Sequence, residues 1–167
     1  MSLRLRALWS MVFWIAVGVG SYALGVQSSV GQRAEAIVLD AAEFTTDPPP
    51  PLNLVSETSL IIALIVIGAI ALAAHGWRRA LGVVCVSAAA VVASQLLKLM
   101  LSRPELLELD APNTFPSGHM TVFTVITAAL IWAVPARARA LVALGGAVLL
   151  AIVAWQLLAY GWHRPSD

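Results

Sequence analysis

The chain has 167 residues, of which 60% are hydrophobic and 11% charged, with a formal net charge of +1. Soluble domains carry about 45 to 50% apolar and about 25% charged residues, so this composition excludes a water-soluble globule and a disordered chain. The near-neutral balance argues against a nucleic-acid partner, and the lone Cys85, set in an apolar run, excludes an intrachain disulfide and reads as a small packing residue.

A helix needs about 20 apolar residues to cross the hydrocarbon core. Five runs meet that need, at 7–26, 54–74, 80–97, 119–135 and 140–160. The fold class expected is all-α: a polytopic transmembrane helix bundle forming a single membrane-embedded domain over residues 1–167. An alternative for the first run is a cleaved signal peptide, since Arg4 and Arg6 precede it and it ends in Ser21-Tyr22-Ala23. Between the first two runs, Gly31 to Phe44 places Ile37, Val38, Ala41, Ala42 and Phe44 at helical spacing, with Arg33, Glu35, Asp40 and Glu43 elsewhere. That pattern predicts a short external amphipathic helix lying on the membrane surface. Pro48 to Pro51 should end it and continue as an extended polyproline stretch.

Loop charges give the orientation. Arg4, Arg6, Arg78, Arg79, Arg137 and Arg139 fall at one face with no carboxylate among them. Glu35, Asp40, Glu43, Asp47, Glu57, Glu105, Glu108, Asp110 and Asp167 fall at the other. The excess of arginine marks the cytoplasmic side, so the N-terminus is expected in the cytoplasm of a multi-pass plasma or inner membrane protein.

The residues with chemical potential gather at the external ends of the spans. Lys98 closes the third run and Arg103-Pro104 follows it. Pro116-Ser117-Gly118-His119 opens the fourth, and Gly161 to Asp167 follows the fifth. A helix start presents unpaired amides and the positive end of its dipole, so Ser117-Gly118 offers a cradle for phosphate. Arg103 supplies a guanidinium fork and Lys98 a point charge. His119 and His163 are the two external histidines and can share the work of nucleophile and general acid. Asp167, four residues after His163, can fix that imidazole's tautomer. Each has a plainer reading alone: a snorkelling lysine, a loop entry, a helix cap, a structural histidine, a stabilising pair of residues one turn apart. One phosphate site explains all of them together. A serine hydrolase elbow and an H-E-x-x-H zinc motif are absent, and the spans hold few midplane polar residues beyond Gln95 and Gln156, which gives transport little support.

Lys98 with Arg103-Pro104, then Pro116-Ser117-Gly118-His119, then His163 with Asp167 resembles the three-part signature of the phosphatidic acid phosphatase type 2 superfamily, the membrane-bound relatives of vanadium haloperoxidases. The resemblance covers nearly the whole chain and implies a metal-independent phosphatase, without cofactor, whose partners are a lipid phosphate substrate and membrane lipids. It implies that His163 attacks phosphorus, that Asp167 orients it and that His119 protonates the leaving oxygen. Lys98, Arg103, Ser117 and Gly118 would stabilise the phosphoryl oxygens. The chain departs from the family in three places. Its spacer Leu99 to Ser102 is short, with Glu105 at a position that is usually Arg. Leu157 stands where the last segment usually carries an Arg, which makes Arg164, beside His163, a further candidate phosphate ligand. The family's Asp opens a sixth span, so a continuation beyond Asp167 is expected. The function expected is hydrolysis of a phosphate monoester or pyrophosphate on a phosphatidate-type or polyprenyl lipid at the external face. The alternative is a catalytically degenerate relative that binds lipid phosphate or serves in assembly.

Overall fold

The computed structural model describes residues 2–107 and 113–167; Glu108 and Asp110, expected at the external face, lie outside them. Among the described residues there are six α-helices and no strand: α1 Leu3–Ser21, α2 Ser29–Asp40, α3 Glu57–His75, α4 Trp77–Met100, α5 Gly118–Ala133 and α6 Arg139–Ala159. Four stretches are long and apolar enough to cross a membrane: Arg4–Val26, Glu57–His75, Trp77–Met100 and Ala136–Ala159. α5 has 16 residues. At about 1.5 Å per residue it is shorter than a hydrocarbon core of about 30 Å.

Serine sets most of the helix starts. Ser2, Ser28, Ser56 and Ser117 each accept a first-turn amide of the helix that follows, and Ser56 with Ser59 closes a reciprocal capping box. Gly76, at φ 87°, ends α3 and turns the chain directly into α4, so the two pack as an antiparallel pair. The short turn Ala136–Ala138 joins α5 to α6 in the same manner. The His75 ring Nε2–H donates to the Val134 carbonyl at 3.2 Å, which brings both turns to one end of the bundle. Arg78, Arg79, Arg137 and Arg139 therefore share that end, while Lys98, His119 and His163 belong to segments at the other.

Two apolar clusters hold the helices together. Ile67, Ala71, Val83, Ala129 and Ala133 join α3, α4 and α5, and the small residues among them let these backbones approach closely. Leu52, Phe123, Val153 and Leu157 form the second cluster, with Met120, Tyr160 and Trp162 packed on it. In contrast, the apolar stretch that begins with α1 has no buried residue in its most hydrophobic window, and Trp9, Phe13 and Trp14 are exposed on it. A helix apolar all round and uncovered by protein has lipid as its natural solvent. It is anchored at its far end, where the Tyr22 hydroxyl and the Gln27 side-chain amide both donate to the Ser102 carbonyl at 2.7 Å.

α2 corrects the sequence expectation on two points. It ends at Asp40, before Phe44 and well before the prolines, and Pro50-Pro51 forms a turn into the short helical turn Leu52–Leu54 rather than a continuous polyproline stretch. Glu35, grouped with the water-facing charges, is buried together with Gln32, whereas Val30 and Ile37 are 77% and 72% exposed. The helix thus turns polar residues onto the protein and apolar ones away from it. Cys85, read as a small packing residue, lies exposed on α4.

α6 ends in a Schellman motif. Gly161 takes a φ of 68°, its amide donates to the Leu158 carbonyl at 3.1 Å, and the Trp162 amide donates to the Leu157 carbonyl at 3.0 Å. Trp162 then packs on the Leu157 cluster, and its Nε1–H reaches the Thr45 carbonyl at 2.7 Å. A β-carbon on Gly161 would also stand 2.5 Å from the Phe44 ring. Gly161→Ala should therefore lower stability by about 1–3 kcal/mol, through the left-handed backbone and the Phe44 contact, read as a drop in thermal unfolding temperature in detergent. An unchanged midpoint would contradict this account of the turn.

Candidate active site

The Schellman turn sends the chain back under the end of α6, and His163 is the next residue. Its amide also donates to the Leu157 carbonyl, at 3.2 Å, so the position of the imidazole is fixed by the helix end. The ring is 9% exposed, and its Nδ1–H donates to Asp167 Oδ2 at 2.9 Å. With Nδ1 so engaged, Nε2 is left as the nitrogen that carries the lone pair. The same Oδ2 accepts the Arg164 amide at 2.9 Å, and the Asp167 amide returns to the Arg164 carbonyl at 3.0 Å, which closes residues 163–167 into a tight turn.

The start of α5 meets this turn. The Ser117 amide donates to the Asp167 main-chain carbonyl at 3.1 Å, while the Ser117 hydroxyl accepts the Met120 amide at 3.3 Å. That differs from the sequence expectation, in which the Ser117 amide was open to phosphate. The first-turn amides of Gly118 and His119 remain the ones with no acceptor within their own helix. The Gln95 side-chain amide lies 3.5 Å from where a Gly118 β-carbon would stand. The His119 and His163 rings face each other edge to face with centroids 6.1 Å apart, and Trp162 flanks His119 at 5.5 Å. The two imidazoles named from sequence are thus neighbours on one site. Lys98, in the last turn of α4, is within electrostatic range of His119.

The arginines are less free than the sequence implied. Arg103 Nη2 donates to Glu35 Oε2 at 2.8 Å, both side chains being nearly fully buried, and Arg103 Nη1 is buried with no hydrogen-bond partner among the described residues. Arg164 donates through Nη1 to the Thr114 hydroxyl at 3.0 Å. Burial, and then the like charge of Arg103, hold the Arg164 guanidinium below its ordinary pKa, partly offset by Asp167 and Glu35. Leu157, at the position where an Arg was looked for, is 2% exposed in the second apolar cluster and places no charge near the histidines. Glu35 and Gln32 are the polar neighbours that sequence reasoning missed. Their spacing of three on one helix face was visible, but the pattern does not say which face meets protein. Among the described residues no group of three or more His, Cys, Asp or Glu side chains could hold a metal ion.

Comparison of the chain with family models, with curated proteins and with solved structures gives no match. The functional reading rests on the residues themselves.

Burial would raise the Asp167 pKa, but the hydrogen bonds from His163, Thr114 and the Arg164 amide outweigh it and hold the carboxyl below its ordinary value. A depressed acid contributes stability that is complete above its unfolded pKa, about 4, and is lost as the pH falls through the lower folded value. The melting temperature in detergent should therefore fall on acidification below about pH 4. Asp167→Asn should shrink that acid-side fall; an identical pH profile for the two proteins would refute the coupling.

Proposed function

We propose that the chain is an integral membrane phosphatase that hydrolyses a phosphate monoester or pyrophosphate of a lipid through a phosphohistidine. The observation that carries this reading is the His119–His163 pair, 6.1 Å between centroids, with Asp167 bound to the inner nitrogen of His163. It is supported by the gathering of Lys98, Arg103 and Arg164 on segments at the same end of the bundle. In this reading the Nε2 lone pair of His163 forms a bond to phosphorus as the bond to the lipid oxygen breaks. His119, entering protonated, gives its proton to that oxygen. Water then attacks the phosphohistidine while His119 takes a proton from it, and inorganic phosphate leaves with His163 restored. The Asp167 carboxylate stabilises the imidazolium character that develops on His163. Lys98, Arg164 and the amides of Gly118 and His119 act on the equatorial oxygens, where charge-complementary donors contribute most. Arg103 joins them through Nη1, which has no partner among the described residues.

The same reading gives α5 a membrane-crossing role beside the four longer stretches, five spans in all, with the arginine-rich turns in the cytoplasm and the histidines outside. α2 would lie at the outer interface with Val30 and Ile37 toward lipid. A second reading, a degenerate relative that binds lipid phosphate without turning it over, is favoured by Leu157, whose burial in an apolar cluster removes a phosphate ligand.

Phosphate release from phosphatidate and from a polyprenyl pyrophosphate in mixed micelles separates the two. The enzyme reading expects release that EDTA leaves intact, that His163→Ala abolishes and that His119→Ala slows by about 10² to 10⁴-fold. Acid-labile phosphate on the wild-type chain and not on His163→Ala would identify the intermediate. Tight lipid binding with no release from either substrate would favour the degenerate relative and end the enzymatic account.

A further inference from the structure

Glu35 is the buried acid that the phosphatase mechanism does not use. It lies in mid-helix on α2, 4% exposed, and both of its oxygens are engaged. Oε2 accepts Arg103 Nη2 at 2.8 Å, and Oε1 accepts the backbone amide of Ser166 at 3.2 Å. Ser166 sits inside the tight turn that holds Asp167 against His163, one residue from the orienting carboxylate. Glu35 therefore grips the His163 turn with one oxygen and the Arg103 loop with the other.

The surroundings are built for that grip. Gln32, one turn earlier on the same face, donates from Nε2 to the Pro104 carbonyl and to the Val26 carbonyl, each at 2.8 Å, so α2 holds the Arg103 loop at a second point. Gly25 leaves the space that Ser166 occupies: a β-carbon there would collide with the Ser166 side chain and stand 3.2 Å from Glu35 Oε1. An ion pair serving α2 alone would need Arg103 only. The bond to Ser166 is what ties the pair to the turn that bears the proposed nucleophile.

We propose that Glu35 is a positioning residue, which sets the turn of His163 and Asp167 against the loop of Arg103 so that His163 stays in register with His119. The proposal rests on the phosphatase reading for its kinetic consequence and on the Ser166 bond for its structural one. Glu35→Ala removes both contacts. Glu35→Gln keeps an acceptor for the Ser166 amide while giving up the charge opposite Arg103, so the difference between the variants isolates the grip on the turn.

The test uses the full chain in detergent, with short-chain phosphatidate as substrate, melting temperatures for every variant and an NMR titration of the His163 imidazole. Glu35→Ala should lower kcat by about 10²-fold, the loss expected when a reacting group is misplaced by about 1 Å, with a smaller change in KM. Glu35→Gln should recover most of that kcat. The His163 titration should move in Glu35→Ala and stay near wild type in Glu35→Gln. Wild-type kcat and titration in Glu35→Ala, or equal damage in the two variants, would overturn the proposal. If the wild-type chain releases no phosphate, the phosphatase reading has failed on its own account, and the titration alone decides for or against the grip. Should Glu35→Ala fail to fold because Arg103 is left buried and unpaired, Glu35→Met with Arg103→Met removes both charges together. The His163 titration must move in that variant too, and an unmoved titration counts against the proposal.

Discussion

Asp167 joins the end of α6 to the start of α5. Its carboxylate takes the ring N–H of His163 and the amide of Arg164, and its main-chain carbonyl takes the amide of Ser117. The first pair of bonds fixes an imidazole; the third fixes the helix start on which the other imidazole, His119, is carried. Buried beside low-dielectric protein, such a group is stabilising only while its partners are in place, because an unpaired carboxylate there has no water to fall back on. The separation of the two histidines is consequently set at two helix ends by the side chain and the main chain of Asp167 together.

The same constraint explains α2. In a chain whose helices are largely apolar on every face, a short helix with one polar face can direct that face to water or to unpaired polar groups of the protein. The loop at 101–107 and the turn at 163–167 present such groups: the Pro104 carbonyl, the Arg103 guanidinium and the Ser166 amide. Gln32 and Glu35 satisfy them. Leaving Arg103 without Glu35 would strand a buried cation, which costs far more than an exposed ion pair contributes. α2 is therefore part of the site's polar closure, and its apolar residues take the outer position by default.

Much of this was legible in the sequence. Unbroken apolar runs marked the long helices, Pro116-Ser117-Gly118-His119 marked a helix start, and the spacing of His163 and Asp167 marked their pairing. These are local signals, set by residues close together along the chain. The parts that escaped depend on distant segments. Gln32 and Glu35, three residues apart, share a face of α2, yet nothing near them in sequence tells that face from a water-facing one, since the answer lies about 70 residues away at Arg103 and Pro104. The prolines were read as the stop for α2, but the chain leaves the helix at Asp40 and goes on to hydrogen-bond Glu43 to the Ala159 carbonyl at the end of α6. That tertiary bond outcompeted continued helix. The amide of Ser117 was read as open because a helix start ordinarily offers it, and the carbonyl that takes it belongs to a residue 50 positions on.

Leu157 shows how such distant bonds redistribute charge. The last turn of α6 directs position 157 into the cluster of Leu52, Phe123 and Val153, with Trp162 folded over it, so an arginine there would lie buried among apolar side chains. What position 157 gives the site is its main-chain carbonyl, which accepts the amides of Trp162 and His163 and holds the turn in place. The turn itself carries a cation, Arg164, whose amide is bound by Asp167 and whose guanidinium reaches Thr114 beside the start of α5. Arg103, bound to Glu35 through one nitrogen, keeps a second buried nitrogen without a partner among the described residues. Arg103 and Arg164 thus sit on segments that α2 and the helix ends hold down, while Lys98 belongs to the last turn of α4.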